Sequence, residues 1–207
     1  MRSSMRKIFL ITLIMLILSS PVLALDLGGH TRDGVVVGFN MGAGWNWLEF
    51  NIPAENGDII SNKTGTEVDL TGGLTLGWAR SDNLVFSIGV HGWKARYWYF
   101  GDQFSVSTTQ FQADVSWFPR GEGFWLRGGI GPGNISFSAL VPQINVTFQE
   151  WGWNLLGGAG YEFRVSDTAA IGLAYEYRHL GVGAFKDLDD TTISSHNALF
   201  SFRWYMD

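Results

Sequence analysis

AAIGLAYEYR, residues 169–178, decides how this chain is read. Ile171, Leu173, Tyr175 and Tyr177 fall on one side of an extended backbone; Gly172, Ala174, Glu176 and Arg178 fall on the other. A period of two marks a strand, not a helix. One face is aromatic and uncharged, whereas the opposite face carries an acid and a base two residues apart. That is the reverse of a soluble strand and fits an apolar side turned to lipid. The expected fold is all-β: a transmembrane, antiparallel, up-and-down barrel of eight strands.

The same alternation recurs along the chain. The first strand is expected at about 34–46, with Val35, Val37, Phe39, Met41 and Trp45 out and Asn40, Gly42, Gly44 and Asn46 in. The others are expected at 67–80, 84–96, 107–118, from Phe124 onward, 150–165, 169–178 and 193–205. In the last, Ala198, Phe200, Phe202 and Trp204 are assigned outward; His196, Ser201, Arg203 and Tyr205 are assigned inward. Gly131-Pro132-Gly133 invites a bend or bulge, because proline cannot donate to a ladder. Short turns at 81–83, 119–123 and 166–168 alternate with long polar gaps at 47–66, 97–106, 132–148 and 180–192. Short periplasmic turns and long outer loops follow that rhythm, placing both mature termini on the periplasmic side. Closure is required, since an open edge in hydrocarbon leaves backbone groups unpaired.

Residues 1–24 read as a signal peptide: Arg2, Arg6 and Lys7, then IFLITLIMLIL (8–18), then a short stretch ending at Ala24. Removing it takes away three basic groups and no acidic one, leaving 11 basic against 19 acidic residues. Such a balance offers no basic stripe for nucleic acid. The chain has no cysteine and therefore no disulfide framework. Aromatic residues make up 15%, and 27 glycines suit the crowded inward face of a narrow barrel. Trp45, Trp47, Trp98, Trp151 and Trp153 are expected in the outer aromatic belt, Trp78, Trp117 and Trp204 in the inner one.

The predicted lumen carries Asp69, His91, Asp114, Arg127, Glu162, Arg164, Glu176, Arg178 and Arg203. Buried charges of both signs call for pairing or water, so a polar network plugging the barrel is expected there. Eight strands leave little room for a continuous pore. Candidate catalytic groups are His179 near Glu176, and His196 with Ser194 on its own face. The histidines show no metal-ligand spacing, and Asp187, Asp189 and Asp190 lack the glycine and terminal glutamate of a calcium loop. No metal and no cofactor is expected.

GYEFRVSDTAAIGLAYEYRHL (160–180), HNALFSFRWYMD (196–207) and the leader together resemble the small eight-stranded outer-membrane barrels of Gram-negative bacteria. That group includes the OmpA transmembrane domain, OmpX-like barrels and the surface-antigen barrels. The resemblance implies a monomer in the outer membrane, touching lipid and lipopolysaccharide, inserted by the barrel-assembly machinery, with loops free to meet an extracellular ligand. Members usually end on an aromatic residue; here Trp204 and Tyr205 are followed by Met206 and Asp207. YRHLGVGAFKD (177–187) is also similar to a stretch of the lipid A 3-O-deacylase barrels. His179 matches their histidine, but Gly181 stands where their serine would be. The expected function is a structural or surface-interaction barrel, with a lipid A-modifying enzyme or a narrow channel as alternatives.

Overall fold

The computed structural model describes residues 32–53, 59–99, 102–121, 123–141, 144–183 and 189–206. The leader expected at 1–24 lies outside them. Eight strands follow in chain order: β1 (Gly34–Pro53), β2 (Ile59–Ser81), β3 (Leu84–Tyr99), β4 (Asp102–Trp117), β5 (Phe124–Val141), β6 (Ile144–Arg164), β7 (Ala169–Val182) and β8 (Asp189–Met206). Each pairs antiparallel with its sequence neighbours, and β8 closes on β1. The register Val35↔Met206 brings the first and last strands together at one end. That end, called lower here, also holds the turns after β2, β4 and β6.

Alternation puts one face of every strand inside. Through the lower and middle barrel the outward side chains are apolar: Leu70 is 75% exposed, Leu173 63% and Ile88 62%. Opposite them, Asn40, Gln112, Asp114, Glu176 and Arg178 are buried. A surface with so much exposed apolar area needs an apolar medium around it.

Four expected gaps turn out to be largely strand. β1 and β2 stay paired up to Pro53↔Ile59, and β5 and β6 up to Val141↔Ile144. β2 has 23 residues, about twice the 9–11 that cross a bilayer. The polar composition of these tracts is no reason for a ladder to stop, because backbone bonding continues wherever the outward face meets water. Above the belt the pattern inverts. Leu48, Trp93, Ala95, Val106, Ile135, Leu180, Val182 and Ile193 pack inside, with Phe137 against them. Lys94, Thr109, Thr147 and Gln149 are exposed on the outside. A bulge in the β1–β2 pairing falls at the changeover, between Trp45 and Trp47.

β5 is not broken at Gly131-Pro132-Gly133. Its ladder to β4 is interrupted between Gln110↔Gly133 and Ala113↔Ile130, yet the register is the same on either side. Pro132 has no N–H to give there. Asn154 reaches in from β6 instead: its Nδ2 donates to the carbonyls of Phe111 (2.9 Å), Gly131 (2.8 Å) and Pro132 (3.0 Å). One side-chain amide thus occupies acceptors that the proline leaves open.

Candidate functional site

Three polar constellations stand out: two inside the barrel and one on its outer wall.

The middle of the lumen holds a chain of alternating charge. Arg178 Nη2 lies 2.7 Å from Glu176 Oε2, and Glu176 Oε1 lies 3.0 Å from Arg127 Nη1. Arg127 then grips Asp114 with two parallel bonds, Nη2 to Oδ2 at 2.7 Å and Nε to Oδ1 at 2.8 Å. Ser87 donates to Asp114 at 2.6 Å, and Arg178 donates to Gln112 at 2.6 Å. Two cations and two anions sum to zero, and each head is also hydrogen-bonded, which is what makes such burial tolerable. Register explains how they meet. Gly158 of β6 stands between Arg127 on β5 and Glu176 on β7. Having no side chain, it leaves them the space; a Cβ there would come 3.0 Å from Glu176 Cγ. Above this chain, His91 pairs with Thr71 Oγ1 at 2.6 Å. Asp69 is half-buried on the inward face of β2, opposite Gly44.

The lower mouth is organised around Glu162. Its carboxylate accepts from Arg32 Nη2 (3.2 Å), Arg203 Nη1 (3.2 Å) and the Tyr205 hydroxyl (2.9 and 3.0 Å), with Arg164 Nε at 3.8 Å. Arg32 also bonds the carbonyls of Asp82 and Gly121, and lies 3.8 Å over the Phe118 ring. Phe118 and Trp125 are buried beside it, packed in one cluster with Val36, Val85 and Ala170. Trp125 fits because Gly160 is opposite it in the ladder; a Cβ at 160 would sit 2.4 Å from the indole. A cavity between the two networks, lined by Asn40, Trp125, Arg127, Glu176 and Arg203, is about 10 Å³, room for roughly one water. The described lumen therefore has a filled mouth and a filled middle.

Arg32 lies outside the first strand as read from the sequence, which starts at Gly34. Extending the alternation two residues upstream would have found it, since Arg32 has the parity of Asn40. Gln110 and Gln112, uncharged and on the inward face of β4, also join the network by accepting from Arg178 Nη1 at 3.5 and 2.6 Å.

The outer wall carries the third group. His196 is corrected here: it lies on the outward face with Ala198 and Phe200, because parity in a strand overrides polarity. It bonds the Tyr175 hydroxyl, packs edge-on to Trp47 at 4.9 Å and lies 5.1 Å from the Tyr177 ring. Beside it, the Tyr177 hydroxyl donates to Ser194 Oγ at 3.2 Å, and Ser194 Oγ lies 3.0 Å from His179 Nδ1. The ladder pairs His179↔Ser194 directly. A serine hydroxyl bonded to an imidazole is the elementary unit of nucleophilic catalysis. Glu176, by contrast, points inward and does not join His179.

Trp45, Trp151 and Trp153 are exposed at the level of this group, and Trp47 is half-buried there. Trp78, Trp117 and Trp204 are exposed near the lower end. Trp98 falls in β3, but its side chain lies outside the described residues. Among the described residues, no three or more His, Cys, Asp and Glu converge as metal ligands would.

The family description "outer membrane protein beta-barrel domain" matches residues 10–204. No curated protein matches the chain in sequence. Among solved structures, Neisserial surface protein A is similar in fold: 15% identity and a TM-score of 0.54, covering 86% of this chain and 100% of that one. Ail, the attachment invasion locus protein of Yersinia pestis, is 12% identical with a TM-score of 0.52, over 83% and 99%. A second Ail structure, in complex with the heparin analogue sucrose octasulfate, gives 13% and 0.50, over 82% and 99%.

Proposed function

This chain belongs to the outer membrane protein β-barrel domain family, and from that premise we propose that it is a surface-interaction barrel, displaying its upper strands outside the bacterial outer membrane. The observation that carries this is the inverted upper region, whose interior is apolar and whose outer face is polar. Such a region suits water, and it projects beyond the aromatic belt. The lower end, with its short turns and both barrel termini, then faces the periplasm. The belt contacts lipid and lipopolysaccharide in a monomer that the barrel-assembly machinery inserts. The filled lumen argues against conduction: planar bilayers with the wild-type protein should stay silent, and steady current would contradict this.

The test is to replace residues 47–66, 97–106, 132–148 and 180–192 with short turns. The expected result is a barrel that still inserts but loses binding of the cell to surfaces and host cells; unchanged binding would refute the role. The sulfated sugar bound by Ail is not expected to carry over. With 19 acidic against 14 basic residues, this chain should pass through a heparin column at physiological salt.

A second reading is favoured by the Ser194–His179 pair. It lies at the belt, level with lipid headgroups, where an ester of the outer leaflet would be within reach. Gly181 rules out the serine position of the deacylases, but Ser194 meets the same histidine from the neighbouring strand. Mass spectra of lipid A would separate the readings. Loss of acyl chains that depends on Ser194 and His179, each replaced by Ala, would establish the enzyme; identical spectra with and without the gene would exclude it.

A further inference from the structure

The lipid-facing wall is not evenly filled. Across β7, β8 and β1 its side chains stand in bulky rows, as where Leu173, Phe200 and Met41 lie side by side. Across β3, β4 and β5 the rows are interrupted. Ala113 stands between Ile88 and Ile130 in the ladder, and in the row below Gly128 follows Phe86 and Val115. The small residues leave the surface low between tall neighbours. The result is an open groove of about 850 Å³. That volume falls within the roughly 300–1,000 Å³ of small-molecule sites.

Trp78, Phe86, Ile88 and Ile130 wall the groove, over Ala113 and Gly128. Ser87 and Asp114 also border it, but their side chains are bonded to each other on the inner side of the wall at 2.6 Å. The side chains turned outward around it carry no charge. A Cβ added at Gly128 would have no neighbour closer than 4.0 Å, so the space there belongs to the groove and not to packing within the wall.

Charge appears at the lower rim. The groove starts at Trp78, in the lower aromatic belt, and rises to Ile130. Arg80, two residues beyond Trp78, is exposed at a bulge in the β2–β3 pairing, and Arg120 is exposed on the turn after β4. The acids of this corner are engaged elsewhere: Asp33 accepts from Gly34 N at 2.8 Å, and Asp82 accepts from Arg32 N at 2.6 Å. An apolar groove above a cationic rim is complementary to a phospholipid standing in the lower leaflet, phosphate below and acyl chain above.

We propose that this groove holds one acyl chain of a phospholipid from the periplasmic leaflet, with the lipid phosphate at Arg80 and Arg120. The groove is continuous with the lipid-facing belt, and lipid touches that belt all round. A chain lying in a groove touches protein on several sides, whereas a chain against the flat wall touches it on one, and dispersion contacts add up. This lipid is therefore retained where its neighbours exchange. The leaflet rests on the orientation proposed above; the site itself goes beyond the surface-interaction reading and does not need it.

The test uses the full chain in lipid nanodiscs, with phosphatidylglycerol carrying a diazirine midway along one acyl chain. After illumination, Ile88, Ala113 and Ile130 should be labelled about tenfold more than Leu173 and Phe200, a modest preference in free energy. Even labelling around the belt would overturn the proposal. Gly128→Phe fills the groove from a position with room for the ring, and should bring labelling down to the level of the far wall while the barrel stays folded by circular dichroism. Leu173→Phe, on the far wall, should change nothing at the groove. Unchanged labelling in Gly128→Phe would also count against the site. Arg80→Gln should weaken the preference by about fivefold, the worth of one cation near anionic lipid. Native mass spectrometry of the barrel extracted from outer membranes identifies the occupant. A retained phospholipid is expected; lipid A or a second barrel in its place would contradict the assignment. Loss of cell-surface binding on trimming the upper region moves none of these readouts, so the two proposals stand or fall separately.

Discussion

The barrel has two halves built on opposite rules. From the lower mouth to the Trp45–Trp151 level, charge is inside and bulk outside: Arg127, Glu176 and Arg178 are buried while Leu70 and Leu173 are exposed. Above that level Ile135 and Leu180 are fully buried and Thr109 and Gln149 are outside. The same eight strands run through both, so backbone pairing is indifferent to the change. What differs is the solvent against the outer face. The side-chain pattern is a record of the medium, and the changeover marks where lipid gives way to water.

The comparison is most exposed to a change in the charged lumen. Glu176→Ala leaves Arg178 without its carboxylate and Arg127 with one partner instead of two. The expected loss is about 3–5 kcal/mol in urea unfolding from lipid, the cost of breaking a buried pair. Double replacement of Glu176 and Arg178 by Leu and Met should cost less than the single change; the opposite order would mean that the network is worth more than its desolvation. In the upper half the vulnerable groups are apolar. Ile135→Ala should cost about 2–5 kcal/mol by the same assay, since the surroundings of a fully buried site relax only partly into the space left. A value near zero would mean that this region has no packed core.

The outer faces supply the next contrast. Leu74→Arg places a cation in the lipid-facing band, expected to cost about 2–4 kcal/mol near the midplane. Ser136→Arg, on the outward face of the upper half, should stay within about 0.5 kcal/mol of wild type, as surface changes do. Equal costs at the two positions would erase the boundary between the halves.

How far the sequence could be read follows the same division. Strand number, order and facing were legible in the lower half because large apolar side chains mark every second position, as in Phe39-Asn40-Met41. Most of the upper half reads as loop, although ISFSA (135–139) keeps a period of two with serines between. There the alternation has the opposite meaning, and a search for lipid-facing residues passes over it. The charged residues of the lumen could be named from parity, but not their partners, since the meeting of Arg127 with Glu176 depends on a register that puts Gly158 between them. His196 was misassigned because its polarity was weighed above its position in the strand. The Ser194–His179 contact needed the β7–β8 register, which no local pattern supplies.

The boundary itself can be measured directly, because the chain has no cysteine and accepts single spin labels anywhere. Labels at 74, 88 and 173 in nanodiscs should collide freely with oxygen and little with a water-soluble nickel chelate; labels at 109, 136 and 149 should do the reverse. Nickel reaching residue 74 as readily as residue 136 would contradict the account.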